Sequence, residues 1–438
     1  MEHIAALVAP LRAFVERVVL QINQSGIPQR MVWVYEWSEG GSSGSSRLES
    51  DPAATLPIFS MVWSAWPEYQ PLRPAVEATP RLYAVLGTER WRKDNFELDQ
   101  FLYGFLEDYL TEARNVVGLW DEAIFDRLCF NLAASVERKG YSLGAWAVLQ
   151  HVEVRPPSHQ LELIPNYYVV EPDPYRRSQL QSPLEGSQHW AHPQRYYLKT
   201  RVVQAYDQPM NSAHPDPDFN RCATAIRLAV GGDARIGVTA YLPDEPGEYR
   251  QMGGGRMFLG EPRAFLYGKI SVLTPDVVRN IESYVRLLPA LDPTHEIALR
   301  RFNQTAERVG GDDKLVDATI GLENLLLPGV DEELGFHFAL RGAWILAAQD
   351  TKLRRSVYSD LKRIYKTRSQ VVHASTKTQK YLTPEVIDGA IEYLRQLLRM
   401  IVTEGASRQS WRERLEMSVL DGSQRHSDSG SPPSAVLK

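Results

Sequence analysis

The sequence predicts an α+β region over residues 1–288, followed by an all-α helical bundle over residues 296–402 and a polar, disordered tail over residues 406–438. Three observations predict it. Between residues 146 and 240, short runs rich in Val, Tyr and Leu (WAVLQHVEV, LELIPNYYVV, RYYLKTRVVQAY) alternate with proline-rich connections, which reads as a small sheet with helices attached. From 296 to 402 every segment instead follows the 3.6-residue period of a helix. The two stretches meet at PALDPT, residues 289–294, which has the composition of a linker. A chain of 438 residues is long enough to bury large cores without disulfides or metal, and two or three domains are expected.

The elements follow in order. Ile4, Leu7, Leu11, Phe14, Val18 and Ile22 recur at helical steps, and Glu2 stands where a secretion leader carries positive charge, so the first segment is expected as an amphipathic helix. MVWVYEW reads as a strand, and EGGSSGSSRLESD (residues 39–51) as a mobile loop. Residues 95–139 read as two helices, with Phe101, Leu102 and Phe105 on the face of the first and Leu128, Leu132 and Val136 on the second. Residues 242–263 read as a long Gly/Pro loop.

In the C-terminal half the predicted helices are 296–309, 312–327, 332–348, 352–373 and 384–402. Their boundaries carry helix punctuation: Gly310 and Gly311, then Pro328 and Gly329, then Thr383 as N-cap with Pro384 at the first helical position. Short connections between such helices predict an antiparallel five-helix bundle.

Composition excludes several functions. Cys129 and Cys222 are far apart with no C-x-x-C, which argues against a disulfide scaffold and a Cys-based zinc site and fits a reducing cytoplasm. No stretch reaches about 18 apolar residues, so no membrane span is expected. His189 and His192 form H-x-x-H in a loop-like stretch without a third ligand, and Gly253, Gly254, Gly255 and Arg256 lack a P-loop or dinucleotide-binding pattern. There is no G-x-S-x-G for a hydrolase elbow. Neither a metal nor a cofactor is expected.

The net charge of −5 averages two very different parts. From Lys352 to Lys380 nine Lys or Arg face one acid, Asp360, so this segment is +8 and the remainder −13. A cationic helix is what a phosphate-backbone ligand requires, because affinity scales with the phosphates neutralised. The same helix ends in KRIYKTRSQVVHAS, where Arg368 and His373 form an Arg-x4-His pair. Residues five apart on an ideal helix point about 140° apart, so the two share a face only if the helix ends or distorts between them.

With DKLVDATIGLENLLLP (313–328), FALRGAWIL (338–346) and IYKTRSQVVH (364–373) in this order, the segment resembles the HEPN superfamily, most closely its Apea-like branch, over residues 296–402. The resemblance implies metal-independent endoribonuclease activity in which the ribose 2′-OH attacks the neighbouring phosphate, leaving a 2′,3′-cyclic phosphate and a 5′-OH. It assigns catalysis to Arg368 and His373, with Glu323 and Arg341 in support, and implies a homodimer that sets two motifs against one cleft. It also implies a toxin or antiviral effector governed by its N-terminal region, with an antitoxin or trigger protein as a possible partner. Two positions depart from the family pattern. Ser369 stands where many nuclease members carry Asn, Asp or His, and Ser375 replaces the Tyr of the branch paired with nucleotidyltransferases.

The residue chemistry is suitable. A histidine with an ordinary pKa of about 6.5 exchanges protons near neutrality, and a guanidinium offers a permanent planar donor fork to phosphate oxygens. Lys362, Arg363, Lys366 and Lys377 are the expected RNA contacts. Tyr365, one turn before Arg368, is placed either to stack on a base or to pack in the core, and Ser369 either to donate to a phosphate or to face solvent. Glu323 and Arg341, on apolar helices, are expected foremost as a buried salt bridge bracing the bundle. The alternative function is a non-catalytic helical module that docks RNA, a nucleotide or a protein.

Overall fold

The computed structural model describes residues 4–24, 30–37, 44–51, 62–79, 96–113, 120–138, 195–205, 216–243, 257–259, 268–373 and 381–420, most of 140–173, and a few single positions. It forms two compact units: Met1–Leu149 with Pro156–Phe219 and Ile236–Ala264, and Gln150–Arg155 with Asn220–Arg235 and Phe265–Lys438.

In the first unit, helix α1 (Ala5–Gln24) buries the predicted face, including Leu7, Leu11, Phe14, Val18 and Ile22. Strand β1 (Arg30–Trp37) pairs antiparallel with β2 (Gly44–Asp51), in register from Arg30↔Asp51 to Trp37↔Gly44. This corrects the loop expected over 39–51 for residues 44–51, while 39–43 lie outside the described residues. Gly and Ser carry little strand signal of their own, and the pairing with the β1 backbone supplies what composition lacks.

Helices α2 (Leu72–Glu77), α3 (Phe96–Glu112) and α4 (Glu122–Glu137) complete this core around Phe14, Trp63, Phe105, Tyr109 and Phe125. Asp121 caps α4 by accepting the Ile124 N–H at 3.1 Å. Cys129 is fully buried on α4, and burial pushes its thiol up to about 12, so it is an inert core residue.

The sheet runs in the order β5 (Gln160–Ile164), β6 (Tyr167–Val170), β7 (Tyr196–Ala205), β3 (Gly140–Gln150), β8 (Arg235–Pro243), β9 (Met257–Leu259). Antiparallel registers join β5 to β6, β6 to β7, β3 to β7 and β8 to β9. Strand β9 lies within the stretch read as a loop over 242–263. The α+β character expected of residues 1–288 is therefore present.

The second unit begins with a parallel pairing of β4 (Val152–Val154) with β10 (Ser271–Leu273). Helix α5 (Asp216–Val230) contributes most of its length here, followed by α6 (Pro275–Leu287). The segment read as a linker, 289–294, is occupied by two 3-10 turns, Leu288–Ala290 and Pro293–His295, inside this unit.

Five helices then match the predicted ones within two residues at each end: α7 (Glu296–Glu307), α8 (Gly311–Leu326), α9 (Leu334–Leu346), α10 (Thr351–Val372) and α11 (Pro384–Glu404). Buried Asp317 ties α7 to α8 by accepting from Arg301 at 2.6 Å and Arg308 at 2.8 Å.

The tail expected over 406–438 is corrected in its first part, where Arg408–Leu420 forms helix α12. Gly405, at φ +61°, closes α11 in the left-handed conformation that only glycine adopts freely, and the chain turns into α12 with Trp411 and Leu415 buried. Among the described residues, no helix is long and apolar enough to cross a membrane.

Candidate functional site

Helix α10 carries the motif. Asp350 caps its start, accepting the Lys352 and Leu353 N–H groups at 2.8 and 2.9 Å. Val357, Leu361, Ile364 and Thr367 are its buried stripe. These positions fix which way every other side chain on the helix points.

Arg368 turns toward α8. Its Nη2 lies 3.5 Å from Glu323 Oε2, with both side chains about one quarter exposed. Arg368 Nε is buried without a hydrogen-bond partner. Burial pushes the Glu323 carboxyl up and the Arg368 charge opposes this, so the carboxylate sits in a half-dry setting steadied by one cation.

Tyr365 completes the cluster. Burial first, then the nearby Glu323 charge, push its hydroxyl up, and Arg368 pulls the other way. Its ring packs on Phe338 at 5.2 Å and lies over Gly335, where a Cβ would come within 3.1 Å of the ring. The ring is thus held in the bundle by α9, the core-packing side of the two expectations.

His373 stands apart. Helix α10 continues through Val372, and His373 is its exposed cap, its N–H donating to the Ser369 carbonyl at 3.1 Å. The ending or distortion that would bring Arg368 and His373 to one face does not occur between them. At 100° per residue they remain about 140° apart. His373 instead continues an exposed stripe with Arg355, Lys362 and Lys366, at helical steps of seven, four and seven residues. Ser369 is half-buried, with its carbonyl used by the cap.

The salt bridge expected from Glu323 and Arg341 is not the one that forms. Arg341 is buried and donates to the carbonyls of Leu326 at 3.1 Å and Pro328 at 3.4 Å, with Glu416 of α12 at 4.0 Å. It braces the end of α8, and Arg368 takes Glu323.

The basic residues of α10 also divide. Arg354 stacks 3.5 Å from the Trp344 ring centroid and donates to the carbonyls of Ala347 and Ala348, so it caps α9. Arg363 pairs with Asp360 at 3.2 Å, and Tyr393 donates to the same carboxylate at 3.1 Å. Lys362 and Lys366 are exposed. Lys377, Lys380, His189, His192 and Gly253 to Arg256 lie outside the described residues.

No protein-family model, curated protein or solved structure matches this chain. The site therefore stands on its own residues. Among the described residues no group of three or more His, Cys, Asp or Glu is placed to hold a metal ion.

Trp411 and Arg412 of α12, which were not expected from sequence, reach Leu325 at the end of α8 and Gly329 just beyond it. A signal for this helix existed. Trp411 and Leu415 are an i, i+4 apolar pair just after Gly405, and Ser407 Oγ accepts the Ser410 N–H at 3.2 Å as a helix-starting residue does.

Proposed function

We propose that the C-terminal bundle is a metal-independent endoribonuclease of the HEPN type, acting as a toxin or antiviral defence effector that the N-terminal region restrains or triggers. The observation that carries this reading is the setting of the Arg-x4-His pair. His373 is exposed at the end of the cationic stripe on the helix that also carries Arg368.

In this reading the stripe of Arg355, Lys362 and Lys366 holds the phosphate backbone next to His373. His373 of one copy takes the proton of the ribose 2′-OH as that oxygen attacks phosphorus, its counterpart in the second copy gives a proton to the 5′ oxygen as the P–O5′ bond breaks, and Arg368 stabilises the charge that builds on the phosphate. Because the two side chains leave α10 about 140° apart, one chain does not point both at the same phosphate. A homodimer through the bundle sets two motifs against one cleft and supplies the second histidine. RNA is the substrate, a cytoplasmic setting is implied, and an antitoxin or trigger protein is the partner expected to govern activity.

The second reading is a non-catalytic module that docks RNA, a nucleotide or a protein. It is favoured by one observation, the engagement of Arg368 with Glu323. His373→Ala separates the two. In the nuclease reading it abolishes RNA cleavage and growth toxicity while RNA binding persists. In the docking reading toxicity and binding change together or not at all.

A further inference from the structure

Helix α12 lies beyond the five predicted helices and packs mainly on α9, yet one of its side chains bonds the last turn of α8. Trp411, 1% exposed, donates its indole N–H to the Leu325 carbonyl at 2.8 Å, and Leu415 is buried on the same face. The Arg412 guanidinium lies over Gly329, where a Cβ would come within 2.9 Å of it. Arg412 also donates to Glu416 at 2.9 Å, and Glu416 faces Arg341 at 4.0 Å.

An α-helix leaves its last four carbonyls without intrahelical partners. At the end of α8 two of them are taken by side chains: Leu325 by Trp411 of α12, and Leu326 by Arg341, which α12 touches through Glu416. The same turn carries Glu323. Its carbonyl accepts the Leu327 N–H at 3.0 Å, and its carboxylate is the one that meets Arg368.

The start of α12 is tied down separately. The Arg408 N–H donates to Asp292 Oδ2 at 3.2 Å. The helix is thus fixed at its base and, through Trp411, at the last turn of α8.

We propose that α12 is a latch and Trp411 a positioning residue: by holding the last turn of α8, Trp411 keeps Glu323 where it orients Arg368. Its effect on catalysis rests on the nuclease reading above, whereas its effect on the position of Arg368 does not.

The test uses the full-length chain and Trp411→Phe, which keeps an aromatic ring and removes the indole N–H. Trp411→Ala, which removes both, is the harsher companion. Hydrogen exchange is followed at residues 324–327, and labelling by an arginine-specific dicarbonyl is followed at Arg368, with Arg363 of the same helix as internal reference. Losing one hydrogen bond of ordinary strength is expected to speed both by about three- to tenfold in Trp411→Phe, leaving residues 384–404 unchanged. On RNA, kcat falls by a similar factor with KM unaltered. Exchange changes confined to residues 408–420, with Arg368 labelling at the wild-type rate, would overturn the latch. If the wild type does not cleave RNA while both probes respond, the latch stands and the nuclease reading fails.

Discussion

Arg368 on α10 and Glu323 on α8 are paired at 3.5 Å, half in and half out of the bundle. This pair joins the motif to the helix packing, because α8 is also tied to α7 through Asp317 and to α12 through Leu325. Water reaches both partners, so the pair is worth far less than its Coulomb energy in a dry core.

Glu323→Gln tests what the pair does. Burial disfavours the ionised carboxyl and Arg368 favours it, so the two effects oppose, and the variant is expected to shift stability by less than about 1 kcal/mol. Removing a negative charge beside the proposed phosphate site should leave RNA binding intact or tighten it. Thermal melts and fluorescence anisotropy with labelled RNA check both, and loss of RNA binding would contradict this placement of the carboxylate.

Arg341→Met is expected to behave differently. Buried Arg341 donates to two carbonyls at the end of α8, and hydrogen bonds from a charged donor contribute about 1.5–3 kcal/mol each. Denaturant unfolding should show a loss of about 2–3 kcal/mol, since the 3.4 Å contact to Pro328 is the weaker of the two. RNA cleavage by the folded fraction should persist. A stable but inactive variant would place Arg341 in the chemistry.

His295 sets a pH dependence. Burial lowers its pKa below the ordinary 6.5, Asp292 pushes it back up, and Arg408 lowers it further. The unfolded chain therefore binds the proton more readily, so stability is full above about pH 7 and falls as pH drops through the unfolded value near 6.5, levelling off below the folded one. His295→Gln should flatten this limb in melts between pH 5 and 8, and an unchanged slope would contradict the assignment.

RNA binding should depend on salt through the stripe. For single strands each neutralised phosphate contributes a slope of about −0.7 in log K against log salt, so Lys362→Ala with Lys366→Ala should reduce the slope by about 1.4. Arg354→Ala should not reduce it, because that guanidinium is spent on Trp344 and the end of α9. A salt titration of each variant decides.

The five bundle helices were legible because each joins an apolar stripe to a boundary residue, as Thr383 and Pro384 do before α11. Helix α12 was not, since only Trp411 and Leu415 are buried, and Met417 and Leu420 are exposed and do not continue their stripe. Strand β2 was hidden by its Gly and Ser content, and it forms by pairing with β1. The candidate site was half legible. The residues of α10 could be named from charge and spacing, but the partner of Glu323 depends on how α8, α9 and α10 pack, and sequence does not rank Arg368 above Arg341 for that role.

His373 is proposed to carry proton transfer in metal-free RNA cleavage. The measurement that tests it is incubation of purified wild type and His373→Ala with total cellular RNA in EDTA, followed by mapping of the cleaved ends. The expected result is 2′,3′-cyclic phosphate and 5′-OH ends from the wild type and intact RNA from the variant. Equal cleavage by both proteins, or cleavage that EDTA abolishes, would contradict it.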